Sequence, residues 1–132
     1  LKDGRIVMLM RAEYGGFLWR AESSDNGRTW TGAWQTDIPN PTTLPAIIRL
    51  PDGRIALIHN ATGGVVGERA KRDPLSIWIS DDEMKSWRVK ADVITGGSLA
   101  YPCPLIVDDR LVFSYDRNRR ETRFVEVLLP PL

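Results

Sequence analysis

Apolar residues along the chain fall in short runs separated by Gly, Pro, Asp and Asn, and no stretch keeps the spacing of an amphipathic helix over a useful length. That pattern predicts an all-β protein. Strands are expected over residues 5–11, 17–22, 44–50, 54–60, 75–80, 102–107, 110–115 and 122–129, with two fainter segments at 33–36 and 88–93.

Two short motifs recur between these runs, and a fixed period of a few tens of residues signals stacked or radial units. Asp3-Gly4-Arg5-Ile6 returns 49 positions later as Asp52-Gly53-Arg54-Ile55, and Asp108-Asp109-Arg110-Leu111 follows after another 56. Each marks a tight turn between two strands. The second motif, Ser23-Ser24-Asp25-Asn26-Gly27-Arg28-Thr29-Trp30, is the Asp box Ser-x-Asp-x-Gly-x-Thr-Trp. It recurs with a shift of 57 as Ser80-Asp81-Asp82-Glu83-Met84-Lys85-Ser86-Trp87, where Met84 replaces the Gly and Ser86 the Thr. In such a turn the Asp carboxylate accepts hydrogen bonds from backbone N–H groups and the Trp covers the hairpin. Asp25 and Asp82 are therefore read as structural.

The repeating unit is strand A, an Asp-Gly-Arg turn, strand B, a variable loop, strand C, an Asp box and strand D. This is one four-stranded blade of a β-propeller, a fold in which about 4 to 8 blades surround a central channel. The chain is expected to hold strands B, C and D of one blade (1–38), all four of the next (39–97), and A, B and C of a third (98–132). Such a wedge, about two and a half blades, needs the remaining blades of a longer parent as partners. Pro130 and Pro131 end the last apolar segment, so its outer strand is expected from the beginning of the longer parent.

Composition narrows the chemistry. With 18 Lys and Arg against 17 Asp and Glu, the net charge of +1 gives no overall field for nucleic acid or an anionic membrane. No apolar run approaches the roughly 20 residues that span a bilayer. One cysteine, Cys103, excludes an internal disulfide and a Cys-based zinc cage, and the lone His59 excludes His-pair metal motifs. No Gly-rich phosphate loop is present, so no cofactor or metal is expected. His59, among apolar neighbours, reads as a satisfied, partly buried histidine, and Cys103, between two prolines, as a small core residue. Trp19, Trp34 and Trp78 read as packing between blades. The chain begins Leu1-Lys2-Asp3-Gly4, so compartment signals are expected upstream, and no compartment is assigned.

In antiparallel blades the A–B and C–D turns leave one face and the B–C and D–A loops the other. The second face collects residues 11–16, 37–43, 60–74, 95–101 and 116–121, and irregular loops on a rigid scaffold are where binding groups concentrate. Arg11, Asn40, Asn60, Arg69, Arg72, Tyr101, Asp116 and Arg117 fall there.

The Asp boxes, Met8-Leu9-Met10-Arg11 before the first box, Pro39-Asn40-Pro41, and Leu99-Ala100-Tyr101 together resemble the sialidase (neuraminidase) superfamily with its BNR/Asp-box repeats, over essentially the whole chain. The resemblance implies a six-bladed propeller, of which this is the C-terminal portion. It implies that Arg11 is the second arginine of a substrate-binding triad, and Arg72 the third, with Arg69 as the fallback. Tyr101 is implied as the nucleophile. The first arginine, an Asp acid/base and the Glu that activates the tyrosine would lie before Leu1.

Residue chemistry suits these roles. Sialic acid carries a carboxylate on its anomeric carbon, which guanidinium groups bind through paired, charge-assisted hydrogen bonds. That carboxylate repels an anionic nucleophile, so a neutral phenol replaces the usual Asp or Glu, and retention through a glycosyl-tyrosine follows. The Arg-rich segment 115–120 adds Asp116 and Arg117 as site candidates and points toward an acidic sugar other than sialic acid. The substrate is thus expected to be a terminal acidic sugar of a glycan, bound with help from Asn40 and Asn60. The competing readings are a non-catalytic propeller that binds glycan or protein through the same loops, and a related glycosidase or lyase of different specificity. Read from the residues alone, Tyr101 ahead of Pro102 is a packing residue at the head of a buried strand.

Overall fold

The computed structural model describes residues 1–13, 15–65 and 70–131. Among them are ten strands and no helix: β1 (Ile6–Met10), β2 (Phe17–Ser23), β3 (Trp34–Pro39), β4 (Ala46–Arg49), β5 (Ile55–His59), β6 (Leu75–Ser80), β7 (Val89–Ile94), β8 (Leu99–Val107), β9 (Arg110–Arg117) and β10 (Glu121–Val127). They form three antiparallel meanders, β1-β2-β3, β4-β5-β6-β7 and β8-β9-β10. The three-four-three grouping read from the turn motifs is that of the sheets.

Side chains alternate across a strand, so a strand buried on one face alternates polar and apolar residues, and one buried on both does not. All five residues of β5 and all six of β6 are buried. Ala56, Ile58, Leu75, Ile77 and Ile79 meet Leu99, Leu111, Phe113 and Tyr115 of the third sheet. Leu57 and Trp78 point the other way, against Leu18 and Ile38 of the first. The middle sheet is therefore the shared filling of two cores. At the outer ends of the stack Ile6 and Met8 stay exposed on one side, and Leu105, Val107 and Phe124 on the other.

Both repeated motifs fold alike at each copy. Gly4 and Gly53 take φ of 88° and 89°. In each turn the Asp accepts from the backbone N–H of the Arg at 3.0 Å and from its Nε at 2.8 Å. In the third copy Asp109 carries the left-handed φ, 62°, in place of a glycine. In the Asp boxes, Asp25 accepts from Thr29 N–H (2.8 Å), Thr29 Oγ1 (2.6 Å) and Ser23 Oγ (2.9 Å). Asp82 accepts from Ser86 N–H (2.9 Å), Ser86 Oγ (2.6 Å) and Ser80 Oγ (2.8 Å). Met84, standing where the first box has Gly27, still adopts φ 64° and is buried between the first and second sheets.

Three sequence expectations are corrected. Cys103 is exposed, because its place on β8 is opposite Ser114 on the outer face of the third sheet. His59 is fully buried, and neither ring nitrogen has a hydrogen-bond partner among the described residues. Residues 116–121 are no irregular loop: β9 runs to Arg117 and β10 starts at Glu121, with Asn118 and Arg119 both left-handed in a tight turn. The Asn and a neighbouring Asp side-chain bond let that turn close without glycine.

Two stability outcomes follow. Phe113→Ala empties the fully buried center of the second core and is expected to lower unfolding free energy by about 3–5 kcal/mol in chemical denaturation. Asp25 is held down to about 2 by the Thr29 hydroxyl and N–H, and Asp82 is lowered by the equivalent Ser86 groups. A depressed carboxylate stabilizes the fold above its unfolded value of 3.8 and loses that contribution as the pH falls through the folded value. Thermal midpoints should therefore drop between about pH 4 and pH 2, and Asp25→Asn should be less stable at neutral pH with a shallower drop over that range.

Candidate functional site

The loops after β1, between β3 and β4, between β5 and β6, and before β8 leave the sheets at the edge opposite the Asp boxes. Gly16 gathers three of them: its carbonyl accepts from Asn40 N–H (2.9 Å) and Gly64 N–H (2.7 Å). A Cβ at Gly16 would run into the Val65 backbone, and one at Gly63 would sit 2.9 Å from the Asn40 carbonyl, so both positions need glycine. Thr42 Oγ1 donates to the Glu13 carbonyl at 3.2 Å, tying the first loop to the second.

Tyr101 is placed by a β-bulge. Ala100 pairs with Asp116 and Cys103 with Ser114, so Tyr101 and Pro102 together oppose the single Tyr115 of β9, one residue in excess on β8. Pro102 has no N–H to give a ladder, and a bulge re-aims the side chain beside it. Tyr101 adopts φ 54° and leaves its ring 47% exposed. The expectation of a packing residue heading a strand at Pro102 is corrected: β8 begins at Leu99, and the phenol projects out of the sheet.

Arg72 is brought to this phenol through the backbone. Leu99 N–H donates to the Arg72 carbonyl at 2.8 Å, and Thr62 Oγ1 to the Lys71 carbonyl at 2.7 Å. The Arg72 guanidinium then lies 6.0 Å from the Tyr101 ring centroid. Arg11, one residue past β1, approaches from the first loop. The guanidinium of Arg72, and after it that of Arg11, holds the Tyr101 hydroxyl below the usual phenol range, since neighboring positive charge favors the phenolate. Arg11 and Arg72 also line a cavity of about 430 Å³ with Glu13 and Thr42. That volume lies within the span of about 300–1,000 Å³ typical of small-ligand sites.

The other sequence candidates hold loops. Asn40 is buried; its amide donates to the Thr43 carbonyl (3.0 Å) and its oxygen accepts from Thr43 N–H (2.9 Å), which presents Thr42 to the cavity. Asn60, also buried, donates to the carbonyls of Pro74 (2.9 Å) and Leu99 (3.0 Å), closing the β5–β6 loop onto β8. Asp116 accepts from Arg119 N–H at 2.8 Å within its hairpin, and Arg117 reaches toward Gly96. Arg69 lies outside the described residues. Glu13 and Thr42 were not anticipated; the signal available was the spacing of Glu13, two residues beyond Arg11 on the same loop. His59 is held neutral, its value pushed down to about 4 by burial, and packs edge-on against Trp78 with centroids 4.8 Å apart. Among the described residues no three His, Cys, Asp or Glu side chains lie together as metal ligands would.

The family model for the BNR repeat-like domain matches residues 1–113. The chain belongs to that family. No curated protein matches this BNR repeat-like chain. Among solved structures it is similar to a protein of unknown function from Dyadobacter fermentans DSM 18053, with a TM-score of 0.68 and 23% identity. The match covers 92% of this chain and 34% of the other, so the chain spans about a third of that protein's length. At that identity the likeness is one of fold. No helix of the described BNR repeat-like residues is long and apolar enough to cross a membrane.

The cluster makes a spectroscopic prediction. The part of the ultraviolet phenolate titration that disappears in Tyr101→Phe should have its midpoint below the ordinary value of about 10, and Arg72→Met should move it back up. A midpoint unmoved by Arg72→Met would show that the guanidinium does not act on the phenol.

Proposed function

We propose that the chain is part of a sialidase-like exo-glycoside hydrolase acting on a terminal acidic sugar. Its three sheets are read as successive blades of a β-propeller, six-bladed in the whole protein. The observation that carries the reading is the approach to one exposed phenol of two guanidinium groups that also line a cavity of about 430 Å³. Arg11 and Arg72 hold the sugar carboxylate by charge-assisted hydrogen bonds. Tyr101 is the nucleophile. Its oxygen bonds to the anomeric carbon as the glycosidic C–O bond breaks, and the departing oxygen takes a proton from a carboxylic acid elsewhere in the whole protein. Water, giving a proton to that same carboxylate, then attacks the anomeric carbon from the face the leaving group vacated, opposite the tyrosine, so that the tyrosine oxygen departs, regains its proton and leaves the original anomeric configuration. The phenol proton passes to a carboxylate elsewhere in the whole protein, and the two cations next to the phenol stabilize its oxygen as the proton leaves.

The same arrangement serves a second reading, a non-catalytic glycan-binding propeller, because both groups acting on Tyr101 are cations that bind a carboxylate without turnover. Fluorogenic sialoside and glucuronide substrates, assayed on the whole protein, separate the two. Under the enzyme reading Tyr101→Phe loses roughly a thousandfold or more of turnover while keeping substrate affinity within a few-fold. Arg72→Met weakens binding by about tenfold to a hundredfold, the loss of one or two charge-assisted bonds. Wild-type turnover in Tyr101→Phe refutes the nucleophile assignment, and binding of sialoside without hydrolysis establishes the binding module.

A further inference from the structure

At the opposite edge of the sheets, a cleft of about 410 Å³ opens between β3 of the first sheet and the second Asp box and β7 of the second. Its lining combines two indoles with fixed charges. Trp34 starts β3, is 41% exposed, and sits opposite Arg20, whose guanidinium lies 5.8 Å from its ring centroid. Trp87 closes the second Asp box and packs against Trp78 at 6.2 Å between centroids. Lys90 projects from β7 with its ammonium 4.1 Å from the Trp78 ring centroid, and Lys85 enters from the box. Arg20 is already paired with Glu22 at 2.6 Å. Lys85, Lys90 and Asp37 have no ion-pair partner among the described residues, which leaves the cleft two ammonium groups and one carboxylate to offer a ligand.

We propose that this cleft is a second binding site, for an anionic oligosaccharide, separate from the Tyr101 cluster. A pyranose has an apolar C–H face that stacks on an indole and a rim of hydroxyls that needs donors and acceptors, and the cleft supplies both. The unpaired ammonium groups select a sugar bearing carboxylate or sulfate, and Asp37 accepts from its hydroxyls. A nucleic acid strand, which also stacks on aromatic rings, is disfavored by Asp37 and by a chain of net charge +1. The cleft is prepared in advance: Lys90 is steered by the Trp78 face and Trp34 by Arg20, so little side-chain freedom is lost on binding. The site does not depend on the hydrolase reading, because none of its residues belongs to the Tyr101 cluster.

The test is titration of the whole protein with trigalacturonate, with a heparin-derived tetrasaccharide, with methyl-esterified trigalacturonate and with oligodeoxythymidylate, followed by tryptophan fluorescence and calorimetry. Saturable binding of the first or second probe is expected, identifying carboxylate or sulfate respectively as the recognized group, with the methyl ester at least about tenfold weaker than trigalacturonate where that binds. Trp34→Ala and Lys90→Gln, both exposed on the surface, should each weaken binding at least about tenfold, while Arg72→Met leaves it unchanged. No saturable binding of either anionic glycan, tighter binding of oligodeoxythymidylate, equal binding of the ester and trigalacturonate, or a loss in Arg72→Met but not in Trp34→Ala would each overturn the proposal.

Discussion

Burial of β5 and β6 on both faces is the constraint from which the rest of the arrangement follows. A sheet whose two faces are apolar must be covered twice, and here the first and third sheets do so, with Leu18 and Ile38 on one side and Leu111 and Phe113 on the other. Because close-packed side chains interlock, each outer sheet is held at a fixed height on the middle one. The loops at a given edge are then brought near one another, where Gly16, Gly63, Asn40 and Asn60 let them close. Arg11, Arg72 and Tyr101 belong to three different sheets and meet because those sheets are stacked in register.

The two edges of the stack are built for different purposes. At one, every Asp-Gly-Arg turn and Asp box satisfies its own backbone with a carboxylate, and the Arg49–Glu83 pair at 2.8 Å ties a turn to a box. At the other, loops are held by side-chain amides: Asn40 and Asn60 bind backbone carbonyls. Buried amides are suited to this, since each can both donate and accept, and a lost bond would strand a buried polar group.

Strand positions and their grouping were legible because they rest on local signals, apolar runs and turn motifs whose bonds are closed within a few residues. Strand direction put Arg11, Arg72 and Tyr101 on one edge together with five other candidates, and only the family resemblance singled out the three. What failed was burial at single positions. Asn40 and Asn60 were read as binding groups because they lie on the right loops, yet which way a loop side chain turns depends on carbonyls up to 39 residues away, such as that of Leu99. The bulge at Tyr101 and Pro102 was hidden for a related reason: a proline shows that a ladder bond is missing, but only the partner strand β9 shows that one extra residue must be accommodated. Cys103 was misplaced by the same one-residue bulge, since a slip of one residue decides the face of the sheet on which a residue lies.

The left-handed backbone at Tyr101 sets two demands on that residue against each other. A side chain with a Cβ in that conformation costs of order 1–3 kcal/mol, and the following proline disfavors it further, whereas glycine would occupy it without penalty. Conformational economy alone would thus favor glycine over the aromatic ring at this position. The chain spends folding free energy at the one point where two cations wait for an oxygen.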